Sequence, residues 1–328
     1  MALLISLWIQ FFLCSILILF SGTKLCYCAD IICEKTGLGK NWIGILLLAP
    51  ITSLPEFFNG LSAILFVKAP DIAVGGILGS CVFNLFIIGL LDTTCSRFSI
   101  TQRVQSNHYI SAFLGISMLL FIMMDKLFFT KHFILGWMSG LNLSLIGMYF
   151  LSVYLIYGSE SKRERGFKYK NITLKMALRQ FLLNSFVITI AASWLPKVGE
   201  RLAIITGFGQ TFMGSFFIAL STSLPEMVVS FSALRIGSAD MAIGNILGSN
   251  LINLCFLPIY DILFLKGPLL AFIKNVQTIN IISAIIMTII FIIDLGLKPK
   301  KWLYFGSLNI GLILIYILNS MILFYFRK

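Results

Sequence analysis

Residues 36–63 read TGLGKNWIGILLLAPITSLPEFFNGLSA, and residues 206–233 read TGFGQTFMGSFFIALSTSLPEMVVSFSA. Aligned without a gap, the two stretches share 12 of 28 positions. One residue is then dropped and a second block follows, DIAVGGILGSCVFNLFIIGLLD at 71–92 and DMAIGNILGSNLINLCFLPIYD at 240–261, with 10 of 22 positions in common. Pro, Glu, Asn and Gly supply much of this identity, and an apolar composition alone does not provide them. Self-similarity of this kind identifies two copies of one structural unit.

The surroundings of the repeat place it in a membrane. Of 328 residues, 59% are hydrophobic and only 12% charged, against about a quarter charged in a soluble domain. A soluble enzyme, a disordered chain and a small disulfide scaffold are excluded. About ten apolar segments follow one another, near 3–21, 41–67, 71–91, 107–124, 133–157, 174–196, 210–234, 240–260, 276–293 and 302–326. Each matches the roughly 20 residues that one crossing needs. The first has no basic stretch before it, so it reads as a membrane helix rather than a cleaved leader.

The copies occupy segments 2–3 and 7–8. Five crossings separate them, an odd number, so the second copy runs inverted relative to the first. Inverted repeats build many secondary transporters. The expected fold is an all-α polytopic membrane protein of about ten transmembrane helices in two inverted five-helix repeats. The expected divisions are 1–157 (motif region 36–92), a basic loop at 158–173, and 174–328 (motif region 206–261).

The formal net charge is +12. The basic residues lie between apolar segments, where they set topology, and no basic helix or stacking platform points to nucleic acid. With the N-terminus outside, 16 of the 25 Lys and Arg residues fall on inner loops. The expected location is the cell (inner) membrane, with both termini outside and the 158–173 loop cytoplasmic. The seven cysteines include a C-x-C-x4-C run at Cys26, Cys28 and Cys33. That is a poor zinc pattern.

Each copy carries TSLPE inside an apolar segment: Thr52, Ser53, Pro55 and Glu56, and Thr222, Ser223, Pro225 and Glu226. A proline within a helix has no N–H for the carbonyl four residues back. This frees the Ile51 and Ser221 carbonyls and loosens the turns holding Ala49 and Ala219. An ionisable residue in the membrane interior costs roughly 2.5–3.5 kcal/mol on insertion scales, so Glu56 and Glu226 at equivalent positions mark a function. Thr52 and Ser53 sit four and three residues before Glu56, within reach on one helix face. Thr222, Ser223 and Glu226 repeat the spacing.

In the second block, Gly75 with Gly79 and Gly244 with Gly248 form GxxxG pairs that permit close helix approach. Ser80 and Asn84, and Ser249 and Asn253, are four apart and place polar oxygens on one face. Carboxylates, hydroxyls, amides and carbonyls together suit Ca²⁺, Na⁺ or a similar hard cation. Asp71 and Asp240 read as helix caps, and Asp92 and Asp261 as interfacial residues. No nucleophile–base pair or metal cluster indicates an enzyme. An intramembrane protease and a non-transporting scaffold are the other classes that measured ion flux would separate.

Paired TSLPE motifs followed by G-x-x-x-G-S-x-x-x-N blocks resemble the Ca²⁺/cation antiporter superfamily, specifically the prokaryotic sodium/calcium exchanger-like membrane proteins. The resemblance implies ten helices, with ions held between helices 2, 3, 7 and 8, and helices 1 and 6 sliding to give alternating access. It implies that Glu56 and Glu226 coordinate Ca²⁺ and share in Na⁺ binding. Thr52, Ser53, Thr222, Ser223, Ser80, Asn84, Ser249, Asn253 and the carbonyls of Ala49 and Ala219 complete the implied set. Ca²⁺ and Na⁺ are then transported substrates, and no resident cofactor is implied. Several sodium/calcium members have Asp where this chain has Asn253, and the first copy reads Gly75-Gly76 where the pattern has Gly-Asn. Exchange of Ca²⁺ for H⁺ is therefore the alternative.

Overall fold

The computed structural model describes residues 2–95, 99–129, 134–159, 168–206, 220–299 and 308–326. They form α1 (Ala2–Thr36), α2 (Lys40–Val67), α3 (Pro70–Thr93), α4 (His108–Met124) and α5 (Gly140–Ser159). The second half of the chain adds α6 (Leu174–Ile205), α7 (Leu224–Arg235), α8 (Ala239–Leu263), α9 (Gln277–Leu297) and α10 (Ile310–Phe326). Among the described residues, eight helices are long and apolar enough to cross a bilayer, and α10 is a shorter apolar helix. Part of the seventh expected segment (210–219), part of the tenth (302–307) and half of the basic loop (160–167) lie outside the described residues. A strand pair, β1 (Ile134–Leu135) and β2 (Met138–Ser139), is antiparallel, with Ile134 opposite Ser139.

The first helix is longer than the hydropathy of the sequence suggests. The expected segment ends at residue 21, but α1 has 35 residues, about 52 Å at 1.5 Å per residue. It continues because its buried face continues: Leu25, Cys26, Ala29, Ile31 and Ile32 are all enclosed. Hydropathy averages these with Lys24, Asp30 and Lys35 and loses the helix.

Two compact units emerge, each drawing on both copies of the repeat. The first comprises residues 1–55 and 160–246. In it α1 lies along α6 and α7. Gly22 permits this approach, since a Cβ there would stand 2.8 Å from Val228 Cγ1. The start of α2 meets the start of α8 main chain to main chain. A Cβ on Gly44 would stand 2.6 Å from the Met241 carbonyl oxygen, and one on Gly244 would stand 2.7 Å from that of Asn41. At the polar end of α1, Asp30 accepts from Tyr169 Oη at 2.7 Å and Ser238 Oγ at 3.1 Å, and pairs with Lys40 Nζ at 3.1 Å. Burial pushes the Tyr169 phenol up to about 12, so it remains a donor at neutral pH.

The second unit comprises residues 56–159 and 247–328. Here α9 packs on α3 and α4, and α10 on α3 and α9. Phe83, Phe86 and Tyr316 form its aromatic centre, with Phe86 and Tyr316 stacked at 4.4 Å. Asp92 and Asp261, at the ends of α3 and α8, are enclosed, 2% and 1% exposed. Each ties down the loop that follows it. Asp92 Oδ1 accepts from the Ile100 N–H at 2.7 Å, and Asp261 Oδ1 accepts from the Leu269 N–H at 2.6 Å, eight residues on in both cases. A second carboxylate joins each knot. Asp294 reaches Ser99 Oγ at 2.7 Å, and that hydroxyl also lies 3.0 Å from Asp92. Asp125 accepts from Ser139 Oγ at 2.6 Å, and the Ser139 N–H goes to Asp261 at 3.0 Å.

Asp71 also departs from expectation. The N-cap of α3 is Ala69, and Asp71 lies in the first turn. Its Oδ1 accepts instead from the Lys274 N–H at 2.9 Å and from Gln277 Nε2 at 3.2 Å.

Candidate functional site

Both TSLPE motifs interrupt a helix at the same residue. In α2, an α-helical turn Ala49–Thr52 ends at Ser53, with φ −88° and ψ −2°, and a new helix Leu54–Ser62 begins. In the second copy, Ser223 has φ −101° and ψ 17° and precedes α7. Proline then occupies the second position of the new helix, where its missing N–H costs no hydrogen bond. Glu56 and Glu226 fall in the first turn of the restarted helices. π-Helical turns Gly44–Leu48 and Ala63–Val67 flank the first interruption. Irregular backbone of this kind is tolerated at membrane depth only where protein or a cavity surrounds it.

Within the first unit the two copies meet. Ser53 Oγ lies 3.4 Å from Glu226 Oε1, so a first-copy hydroxyl donates to the second-copy carboxylate. Glu226, Thr52 and Ala49 are 0% exposed, and Ser53 and Ser223 are as deeply enclosed. Thr222 is half-buried in the turn before Ser223. The Ala49 carbonyl is not idle: it accepts from the Ser53 N–H at 3.0 Å and from Thr52 Oγ1 at 3.2 Å. Ala219, its expected counterpart, lies outside the described residues.

The second unit holds Glu56, 5% exposed, with Ser80, Asn84, Ser249 and Asn253 all buried. Asn84 Nδ2 donates to Asn250 Oδ1 at 3.0 Å, and Asn250 Nδ2 donates to the Cys81 carbonyl at 3.2 Å. This leaves Asn84 Oδ1 and both polar atoms of the Asn253 amide without a hydrogen-bond partner among the described residues. Buried polar atoms in this state are uncommon, and amide oxygens suit hard cations. The GxxxG expectation holds in part. A Cβ on Gly75 would stand 2.7 Å from Gln277 Nε2, but one on Gly79 would meet nothing within 4 Å among the described residues.

Three residues that hold the site in place were not singled out from the sequence. Asn245 Nδ2 donates to Ser230 Oγ at 3.0 Å, and its Oδ1 accepts from Thr52 Oγ1 at 3.4 Å. Its counterpart in the first copy is Gly76, and that Gly-Asn difference was the available signal. Asn250 corresponds to Cys81. Tyr260 is 0% exposed, and its hydroxyl donates to the carbonyls of Phe57 at 2.9 Å and Glu56 at 3.3 Å. Gly60 makes room for it, since a Cβ there would stand 2.3 Å from Tyr260 Oη. Tyr260 corresponds to Leu91, so self-comparison could not flag it.

Comparison with known proteins gives a consistent picture. The sodium/calcium exchanger MaX1 of Methanosarcina acetivorans is 25% identical over 90% of this chain and 92% of its own length. The inner membrane protein YrbG of Escherichia coli is 24% identical over 82% of this chain and 84% of its own. Among solved structures, the sodium-calcium exchanger NCX_Mj superposes with a TM-score of 0.71 at 21% identity, covering 96% of this chain and 98% of that one. That likeness shows the helical exchanger fold. The sodium/calcium exchanger protein family matches residues 6–158 and 176–325, both repeats included. This chain therefore belongs to the sodium/calcium exchanger protein family, a family of membrane antiporters.

Proposed function

We propose that the protein is a secondary active antiporter that exchanges Ca²⁺ for Na⁺ by alternating access. Glu56 and Glu226 are the charged members of the donor set. Thr52, Ser53, Thr222, Ser223, Ser80, Asn84, Ser249, Asn253 and the Ala49 and Ala219 carbonyls supply neutral oxygens. The observation that carries this reading is the approach of Ser53 Oγ to Glu226 Oε1 at 3.4 Å. Hydroxyl and carboxylate oxygens from the two copies share one enclosed cluster, as a hard cation requires.

The two carboxylates carry −2, which one Ca²⁺ neutralises. Two Na⁺ ions, or two protons, neutralise it equally. An empty pair of desolvated carboxylates is unfavourable, so crossing without cargo is disfavoured and the two fluxes are coupled. Exchange of Ca²⁺ for H⁺ is the second reading. It is raised by Asn253, which leaves two carboxylates in the donor set, a charge that two protons balance as well as two Na⁺ ions do.

Proteoliposomes test both readings. Uptake of ⁴⁵Ca²⁺ is measured with outward Na⁺ and H⁺ gradients imposed separately. Na⁺-driven uptake is expected, with at least a tenfold loss in Glu56→Gln and in Glu226→Gln. Uptake driven only by H⁺ would transfer the assignment to the second reading, and unchanged flux in both variants would overturn the donor set itself.

A further inference from the structure

A cavity of about 420 Å³ opens in the second unit where the start of α3, the start of α9 and the end of α10 come together. Its volume lies in the range of small-molecule sites. Asp71 and Lys274 both line it. Although they carry opposite charges, no ion pair joins them among the described residues. Asp71 Oδ1 is committed to the Lys274 main-chain N–H and to Gln277 Nε2. The Lys274 side chain is exposed. A second ammonium stands beside this rim, that of Lys126, held by the Lys274 carbonyl at 2.8 Å and Thr278 Oγ1 at 3.2 Å.

The floor is polar and already satisfied. Asn280 Nδ2 donates to Gln277 Oε1 at 3.0 Å, Asn319 Nδ2 donates to Asn280 Oδ1 at 3.0 Å, and Ser283 Oγ donates to Asn319 Oδ1 at 2.9 Å. The remaining wall is apolar. Ile72 and Phe326 line it and are 62% and 63% exposed, and Leu323 lines it with them. In a membrane-spanning chain such exposed apolar side chains face lipid.

A ligand that suits this cavity carries an anion and a hydrogen-bonding cation a few ångströms apart, with an apolar chain attached. We propose that the cavity binds the head group of an aminophospholipid, with its acyl chains along Ile72, Leu323 and Phe326. The phosphate meets the Lys274 ammonium, and the primary ammonium donates to the Asp71 carboxylate. The Lys274 ammonium, which has no ion-pair partner among the described residues, gains a phosphate, and the Asp71 carboxylate, already within the field of the Lys126 ammonium, gains N–H donors. A quaternary ammonium lacks the N–H donors for Asp71, and a glycerol head group lacks the cation, so the site discriminates between lipids of equal chain length.

Native mass spectrometry of the full chain, released from micelles with lipids of identical acyl chains, tests this. One phosphatidylethanolamine is expected to be retained, at least fivefold more than phosphatidylcholine or phosphatidylglycerol. Soluble phosphoethanolamine, without the chains, is expected not to be retained. Asp71→Asn and Lys274→Gln are each expected to reduce phosphatidylethanolamine retention at least fivefold. Asp71→Asn keeps the Oδ1 acceptor, and Lys274 is at the surface, so both variants fold; if the first does not, the second carries the test. Equal retention of the three lipids would overturn the proposal, as would retention insensitive to either substitution. Preferential retention of phosphatidylglycerol that depends on Lys274 but not Asp71 would do so too, by indicating a plain anion site.

Discussion

Gly44→Ala tests the geometry around the first-copy motif directly. Gly44 sits in a π-helical turn of α2, with main chain rather than side chain against it. An added Cβ would stand 2.6 Å from the Met241 carbonyl oxygen and 2.9 Å from the Asn245 nitrogen. Ordinary contact begins near 3.4 Å, so the two helices must separate by about 0.8 Å. Alanine gains about 1 kcal/mol over glycine in a helix interior. Overpacking a filled interior costs about 1–3 kcal/mol, and the upper end applies where neither neighbour is a side chain that can rotate away. The net effect is a loss of about 1–2 kcal/mol. A second effect follows from the same shift. Thr52 Oγ1 is already 3.4 Å from Asn245 Oδ1, and a further 0.8 Å or so ends the interaction. Thr52 then loses its lateral support, and initial ⁴⁵Ca²⁺ uptake is expected to fall at least threefold. Gly79→Ala is the matched control, because a Cβ there meets nothing within 4 Å; it is expected to hold or slightly raise the melting temperature. Thermal unfolding in detergent and uptake in proteoliposomes are measured on both. If Gly44→Ala melts and transports like the parent, the close approach of α2 and α8 is refuted, and with it the positioning of Thr52 by Asn245.

Two further predictions rest on individual hydrogen bonds and ion pairs. Tyr260→Phe removes only the hydroxyl that donates to the Phe57 and Glu56 carbonyls; a loss of about 1 kcal/mol is expected, read as a lower melting temperature with a raised KM for Ca²⁺. Asp30→Ala strands the Lys40 ammonium, whose side chain is only 18% exposed, and is expected to cost about 3 kcal/mol. Lys168→Ala, on a side chain 59% exposed, is expected to change stability by less than about 0.5 kcal/mol. Thermal unfolding compares the two, and equal effects would refute the ranking by burial.

The legible part of this protein was its repeat. TSLPE occurs twice because the same interruption is built twice, at Ser53 and at Ser223, and rare residues in an apolar background made it visible. What escaped was the support around the motif. Asn245 faces Thr52, but its first-copy counterpart is Gly76, so comparison of the copies cancelled it as a mismatch. Tyr260 lies in an apolar segment where an aromatic residue carries no signal; its role follows only from the space left by Gly60. The carboxylate knots were half legible. Asp92 and Asp261 were found in the aligned block, but their burial depends on the loops that fold back on them. Asp125 and Asp294 stand in the same 169-residue relation as Asp92 and Asp261, outside any stretch where the surrounding residues still match. The repeat thus persists in structure beyond the point where identity has decayed, because a carboxylate that fastens a helix end is harder to replace than the apolar residues around it.

Asn253 provides a sharper test of the proposed exchange than any substitution that abolishes it. With Asn at this position the proposed donor set carries the two charges of Glu56 and Glu226. Asp30, Asp92, Asp261 and Asp294 each accept hydrogen bonds from donors outside the proposed set, so the proposal assigns none of them to the cargo. One Ca²⁺ then exchanges for two monovalent cations, and no net charge crosses. Moving one charge through 100 mV is worth about 2.3 kcal/mol, or roughly a fiftyfold bias at equilibrium. Uptake of ⁴⁵Ca²⁺ against a fixed Na⁺ gradient, with the potential clamped by valinomycin and K⁺, is therefore expected to reach the same final ratio at 0 and at about 100 mV of either sign. Asn253→Asp restores a third carboxylate to an enclosed position that has no hydrogen-bond partner among the described residues. A third monovalent ion is then needed for neutrality, one charge moves per cycle, and the final Ca²⁺ ratio becomes dependent on potential. If the parent protein already responds to potential by an order of magnitude, two carboxylates do not account for the charge in the site, and another group on the ion path changes its protonation or its partner during the cycle.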